Sequence, residues 1–203
     1  MWLISILKKP PLILYSVKSY KYFSMQLFEL SIITGVIFLG VGFCFLINNL
    51  HINRKLLGFP RSRSLSVFFM TAGTFWFLYR HVMNLSEADF GEYKFFIFFI
   101  TLFIYFSSFI FTKDFLAVRG LSIIALLYSR EVLDAAFLKE PTIRLFLVGM
   151  IYLVIVAALY FGAWPYRMRD FLNSVFNNSY AARILGASLS LIGIGLMCLP
   201  IFF

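Results

Sequence analysis

Charge is scarce in this sequence. Only 13% of its 203 residues are charged and 62% are hydrophobic, with a mean hydropathy of +0.90, whereas a soluble domain is about a quarter charged and half apolar. No stretch outside the apolar runs is long enough to bury a core of its own, which excludes a separate globular domain. Cysteine is nearly missing: Cys44 and Cys198 each lie inside an apolar run and read as small buried hydrophobes, not as a disulfide or reactive pair. Histidine is equally rare. His51 follows the first apolar run and His81 closes the second, near opposite faces of a bilayer, so the two cannot ligate one haem iron. No other His, Cys and carboxylate set has metal-site spacing.

Catalytic motifs are lacking too. There is no glycine-rich phosphate loop, no Rossmann fingerprint and no HExxH, and "GASLS" lacks the strand-turn-helix setting of a nucleophilic serine. No cofactor is expected, and the expectation is a non-enzyme. A cleaved leader is not expected either, because "MWLISIL" is short and "KKPP" follows it without a small-residue cleavage site.

What is present is a series of long apolar runs separated by short polar loops, the pattern of an all-α, polytopic membrane helix bundle. Residues 1–24 mix Trp2, aliphatics and tyrosines with Lys8, Lys9, Lys18 and Lys21, and Pro10 and Pro11 break any single helix there. They are expected to form an interfacial amphipathic arm. Residues 25–203 are expected to form one transmembrane domain of about six helices: Gln26–Leu50, Leu65–Asn84, Lys94–Thr112, Phe115–Leu138, Ile143–Trp164 and Ala182–Phe203. Pro141 suits the start of the fifth, where its missing N–H costs little. "HINRKLLGFPRSRS" reads as a loop, and "PYRMRDFLNSVFNNSYAAR" is too polar to cross and reads as an amphipathic surface helix. The third span, phenylalanine-rich and apolar all round, is expected at the periphery.

Lys and Arg outnumber Asp and Glu by 18 to 9. The basic residues flank apolar spans, where anionic lipid headgroups account for them at about 1 kcal/mol each. No contiguous basic face or binding motif points to nucleic acid. The loops after spans one, three and five carry Arg54, Lys55, Arg61, Arg63, Lys113, Arg167 and Arg169, while the loop after span two is acidic. Basic loops favour the cytoplasm, which places both termini outside; the four N-terminal lysines oppose that orientation.

The fourth span contains charges that a bilayer penalises: Arg119, Arg130, Glu131 and Asp134. On a helix Arg119, Arg130 and Asp134 share a face, and Arg130 with Asp134 is an i, i+4 pair. Alternating spans bring Glu29, Arg80, His81, Arg130, Glu131 and Asp134 to one side of the membrane, so that Arg80 or His81 can pair with Glu131 or Asp134. These six together with Arg119 form the expected intramembrane polar cluster, either structural glue or a site for an ion or proton. In the last span Ala182, Gly186, Ser190 and Gly193 fall on one face, and small residues so spaced form a helix-packing surface.

The stretch "WPYRMRDFLNSVFNNSYAARILGASLSLIGIGLM" resembles the small two-helix bacterial inner-membrane proteins of the YjeT type. The shared elements are an apolar span, Pro165 with the basic run through Arg167 and Met168, an amphipathic segment through Asn177 ending at Arg183, and a final span with Gly186 and Gly193. The resemblance covers about the last third of the chain, and the first four spans have no counterpart. It implies a multi-pass protein of a bacterial inner membrane and no activity, since none is assigned to that family.

Two functions are compatible with these features. The first is a non-catalytic integral membrane subunit or accessory protein, contacting lipids and other membrane subunits or copies of itself through the Ala182–Gly193 face. The second is a small ion or solute carrier or channel that uses the Arg/Glu/Asp cluster. An enzyme acting on a lipid-linked substrate would need a cavity opening to the bilayer beside that cluster.

Overall fold

The computed structural model describes residues 12–85, 91–111, 114–137 and 142–202. Among them the chain is helical, with no strand. The helices are α1 (Leu12–Ile47), α2 (Leu50–Gly58), α3 (Arg63–Phe77), α4 (Lys94–Phe111), α5 (Leu116–Ala136), α6 (Arg144–Ala163), α7 (Pro165–Asn177) and α8 (Ser179–Cys198). Four helical stretches are long and apolar enough to cross a membrane: Leu27–Ile47, Lys94–Phe111, Arg144–Ala163 and Ser179–Cys198. The other two expected spans, α3 and α5, fall outside this group because α3 has only 15 residues and α5 holds Arg119, Arg130, Glu131 and Asp134.

Helix α1 begins inside the expected arm, and the expected loop after it is helical. The boundary at residue 24 is not marked by a break, because α1 runs unbroken for 36 residues from Leu12, just past the two prolines. At 1.5 Å per residue it is about 54 Å long, well beyond an apolar layer of about 30 Å. Residues 1–11 and Pro141 lie outside the described residues. The segment after α1 is also not a loop. Asn49 caps α2 by accepting a hydrogen bond from the His51 N–H at 3.2 Å, and a 3₁₀ turn, Phe59–Arg61, follows.

The helices form two units. One is the antiparallel pair α1–α8. The other is α3–α5–α6, in which α5 is central and the most deeply packed, burying Leu116, Val118, Gly120, Ser122, Ser129 and Val132 among others. Both units rely on close backbone approach. A Cβ added to Gly120 would lie 2.9 Å from the Met70 amide nitrogen of α3. In the α1–α8 pair Gly35 meets Gly193, and Gly42 meets Gly186 and Ser190. The Ala182–Gly193 face is therefore occupied by α1 of the same chain.

Each end of the bundle has its own core. At one end Leu27, Val132, Leu147, Ile151 and Leu196 pack together from four helices. At the other, the amphipathic α2 and α7 lie against each other, and Phe45, Leu172, Val175 and Ala182 form the cluster above them. Asn48, in the left-handed region at φ 42°, ends α1 there and donates from its amide to Ser179 Oγ at 3.1 Å. Phe115, also left-handed at φ 59°, opens α5 with its ring beneath the Arg61 guanidinium, 5.7 Å away. Helix α4 buries none of its residues and sits at the edge of α3, held in part by a 2.9 Å hydrogen bond between Thr71 and Tyr105.

Candidate functional site

Between α1 of the first unit and α3 of the second lies a cleft of about 1120 Å³, floored by α5 and α6. Its apolar walls are formed by Ile33, Ile37, Phe38, Leu121, Ile124 and Val154, of which Ile33 and Ile37 are about half exposed. Its charged end contains Glu29, Arg80, His81, Arg130, Glu131 and Asp134. All six residues that helix alternation brings to one side thus line one cavity.

The local geometry of α3 sets two of these side chains. After Phe77 the helix widens into a π-turn, Leu78–Val82, closed by Met83 N–H donating to the Leu78 carbonyl at 2.9 Å. Such insertions rotate the following residues relative to a regular helix and recur at functional sites. Asn84 completes the end, its amide donating to the carbonyls of Tyr79 (3.1 Å) and Arg80 (3.0 Å).

From this turn Arg80 makes a bidentate pair with Glu131 of α5, Nε to Oε1 at 2.9 Å and Nη2 to Oε2 at 3.0 Å. Two parallel charge-assisted bonds fix both direction and distance between helices. Arg130 points from the same turn of α5 to His81, its Nη1 donating to Nδ1 at 3.3 Å. A guanidinium has no acceptor, so Nδ1 is the unprotonated nitrogen and the ring proton sits on Nε2, an atom that is buried with no partner among the described residues. Arg130 Nε also lies 3.7 Å from Asp134 Oδ2, a looser contact between two well-exposed side chains. Glu29, exposed on α1, has no partner among the described residues.

One hydroxyl pair ties the two units together inside the cleft. Tyr128 of α5 and Thr34 of α1 are 2.7 Å apart, and both hydroxyls reach the Leu30 carbonyl, at 3.2 and 2.6 Å. With Thr34 donating to Leu30, Tyr128 donates to Thr34. Tyr128, Thr34 and Trp76 all line the cleft, and the sequence reading overlooked them. The available signal was a hydroxyl residue within each of two spans, Thr34 in the first and Tyr128 in the fourth; Trp76 carries no such signal.

Arg119 does not belong to this group. Eleven residues from Arg130, it lies about 16 Å away along the axis, at the other end of α5. There it borders a small cleft of about 220 Å³ with Phe103, Ser107 and Phe111 of α4. Its place on the face of Arg130 is compatible with the helical spacing; the axial distance is what removes it from the cluster. Among the described residues no group of three or more His, Cys, Asp or Glu is arranged to hold a metal ion.

No known protein family, curated protein or solved structure matches this chain.

Proposed function

We propose that the chain is a six-span integral membrane protein that admits a small amphipathic solute into the Arg80–Asp134 cleft, acting as a carrier. The observation that supports this is the convergence of Glu29, Arg80, His81, Arg130, Glu131 and Asp134, from three helices, on one cavity whose remaining lining is largely apolar. The six-span count draws on packing. α5 lies along α6, which is long and apolar enough to span, and α3 lies along α5. A helix packed lengthwise on a spanning helix shares its layer. The charges of α5 then sit in its first and last turns or line the cleft, where exposure to lipid is avoided.

A carrier needs two bodies that can move about a central site. The α1–α8 pair and the α3–α5–α6 unit supply them, with the cleft between and the Tyr128–Thr34 bond across it. The α2–α7 layer covers the opposite end. Placement in a bacterial inner membrane rests on the C-terminal resemblance alone.

Thiol chemistry tests the reading. With Cys44 and Cys198 replaced by alanine, a cysteine at Ile37 in the cleft is expected to react with N-ethylmaleimide in native membranes. One at Ile184, on the outer side of α8 and 69% exposed, is expected to remain unreactive in lipid. An inert Ile37→Cys overturns the accessible cleft.

The second reading, a non-catalytic subunit of a larger assembly, draws on α4, which leaves Phe95, Phe103 and Phe111 more than 70% exposed. The Ala182–Gly193 face no longer supports it, being filled from within the chain. A monodisperse monomer in mild detergent, with no co-purifying protein, counts against this reading.

A further inference from the structure

The charges of the cleft do not balance. Two guanidinium groups, Arg80 and Arg130, face three carboxylates, Glu29, Glu131 and Asp134. Arg80 is paired with Glu131 through one edge of its guanidinium, Nε and Nη2, at 2.9 and 3.0 Å. Arg130 is drawn between His81 Nδ1 at 3.3 Å and Asp134 at 3.7 Å. With His81 acting as an acceptor, and so neutral, the lining keeps one negative charge in excess. That excess sits at the mouth, where Glu29 on the α1 wall has no partner among the described residues and Asp134 on α5 has only its loose contact.

Beneath the carboxylates the lining is aromatic as well as aliphatic, with Phe38, Trp76 and Tyr128 in the wall. Aromatic faces attract cations and more strongly so away from water. An anion, by contrast, would meet guanidinium groups already paired with Glu131 and Asp134 and would enter beside the carboxylates of Glu29 and Asp134. The volume, about 1120 Å³, lies just above the usual range of small-molecule sites and leaves room for a body of alkyl or aryl carbon under a charged head.

We propose that the ligand of this cleft is an amphipathic cation, an alkyl- or arylammonium whose head sits between Glu29 and Asp134 and whose apolar body lies along Trp76, Phe38 and Ile37. This inference rests on the carrier reading, in which the cleft is a ligand site, and adds the sign and class of the ligand.

Trp76 reports on it directly. The chain has three tryptophans, so Trp2→Phe with Trp164→Phe leaves Trp76 as the sole emitter. In nanodiscs of zwitterionic lipid this variant is titrated with three quenchers sharing a 12-bromododecyl tail: a trimethylammonium, a sulfate and an uncharged maltoside. The ammonium is expected to quench at a concentration roughly tenfold below the maltoside, the size of effect a charge pair aided by cation–π contact gives. Glu29→Gln, at an exposed and unpaired site that folding does not need, is expected to remove that advantage, and Asp134→Asn to reduce it. Arg130→Gln is expected to leave it in place or enlarge it. If the sulfate is preferred, and Arg130→Gln abolishes that preference, the cleft binds amphiphiles and the cation assignment is overturned. If all three quench alike in every variant, the cleft is no ligand site, and the carrier reading falls with the inference.

Discussion

Gly42 and Gly186 touch backbone to backbone across the α1–α8 pair. A Cβ built on either residue would lie 2.8 Å from the carbonyl oxygen of the other, and one on Gly186 would also lie 2.7 Å from the Leu46 amide nitrogen. Seven residues along, Gly35 and Gly193 repeat the contact in antiparallel register, again with a 2.8 Å approach to each other's carbonyl. A seven-residue spacing keeps one seam facing its partner over successive turns. At each of the four glycines the obstructing atoms include main chain within 2.8 Å, so rotamer changes alone do not make room for a larger side chain.

Gly186→Val is accordingly expected to force α1 from α8 and to destabilise the fold by about 1–3 kcal/mol, the usual range for overpacking. Gly40→Ala is the internal control, because an added Cβ there meets nothing within 4 Å. It is expected to be neutral or slightly stabilising, alanine being the better helix former by up to about 1 kcal/mol. Thermal unfolding of both variants in the same detergent decides the matter, and equal melting temperatures would refute the seam.

The Arg80–Glu131 pair yields to a double-mutant cycle. The Arg80 side chain is 56% exposed and that of Glu131 23%, which places the pair nearer to surface ion pairs than to buried ones. A coupling of about 1 kcal/mol is expected from its bidentate geometry. Arg80→Gln leaves Glu131 half-buried and unpaired, so it is expected to unfold at a lower temperature than the double variant Arg80→Gln with Glu131→Gln. Additive single effects would show that the pair does not hold α3 to α5.

Tyr128→Phe removes a single oxygen and with it the hydroxyl contacts to Thr34 and to the Leu30 carbonyl that cross from α5 to α1. A loss of about 1 kcal/mol is expected. Because the same interaction is removed from either side, Thr34→Val added to Tyr128→Phe is expected to cost little more than the worse single change. The second readout is the rate of N-ethylmaleimide reaction at Ile37→Cys. It should rise in Tyr128→Phe, where α1 is freer to move from α5. An unchanged rate would mean the hydroxyl pair does not govern the width of the cleft.

Much of this architecture was legible in the residues. Apolar run length located α4, α6 and α8, and alternation of helix direction was enough to bring Arg80 and His81 to the level of Glu131 and Asp134. The spacing of Ala182, Gly186, Ser190 and Gly193 marked a packing face, yet spacing describes one helix and not what covers it; that α1 does so depends on Gly35 and Gly42 standing in matching register. The π-turn of Leu78–Val82 was not readable, because an inserted residue leaves the apolar pattern of α3 almost unaltered. "HINRKLLG" reads as a loop on its polarity, although Asn49 and the following leucines give it a cap and an apolar face. Arg119 shares a helix face with Arg130, but a shared face does not set level, and about 16 Å of axis separates the two.

Charge at the two ends of the bundle predicts how the chain sits in its membrane. The end carrying α2 and α7 exposes Arg54, Lys55, Arg61, Arg63 and Arg167, all in short segments beside helix ends, where basic residues most strongly favour the cytoplasm. The cleft end carries Arg80, Lys94, Arg130 and Arg144 as well, but these are offset by Glu29, Glu92, Glu131 and Asp134. The orientation expected is α2 and α7 inside and the cleft mouth outside. In a chain with Cys44 and Cys198 replaced by alanine, Glu92→Cys should be labelled on intact cells by a membrane-impermeant maleimide, whereas Asp170→Cys on α7 should be labelled only after the membrane is opened. Both positions are exposed, so burial does not confound the comparison. The opposite labelling pattern would turn the chain over, with the N-terminal lysines outweighing the α2–α7 end, and would place the mouth of the cleft in the cytoplasmic leaflet.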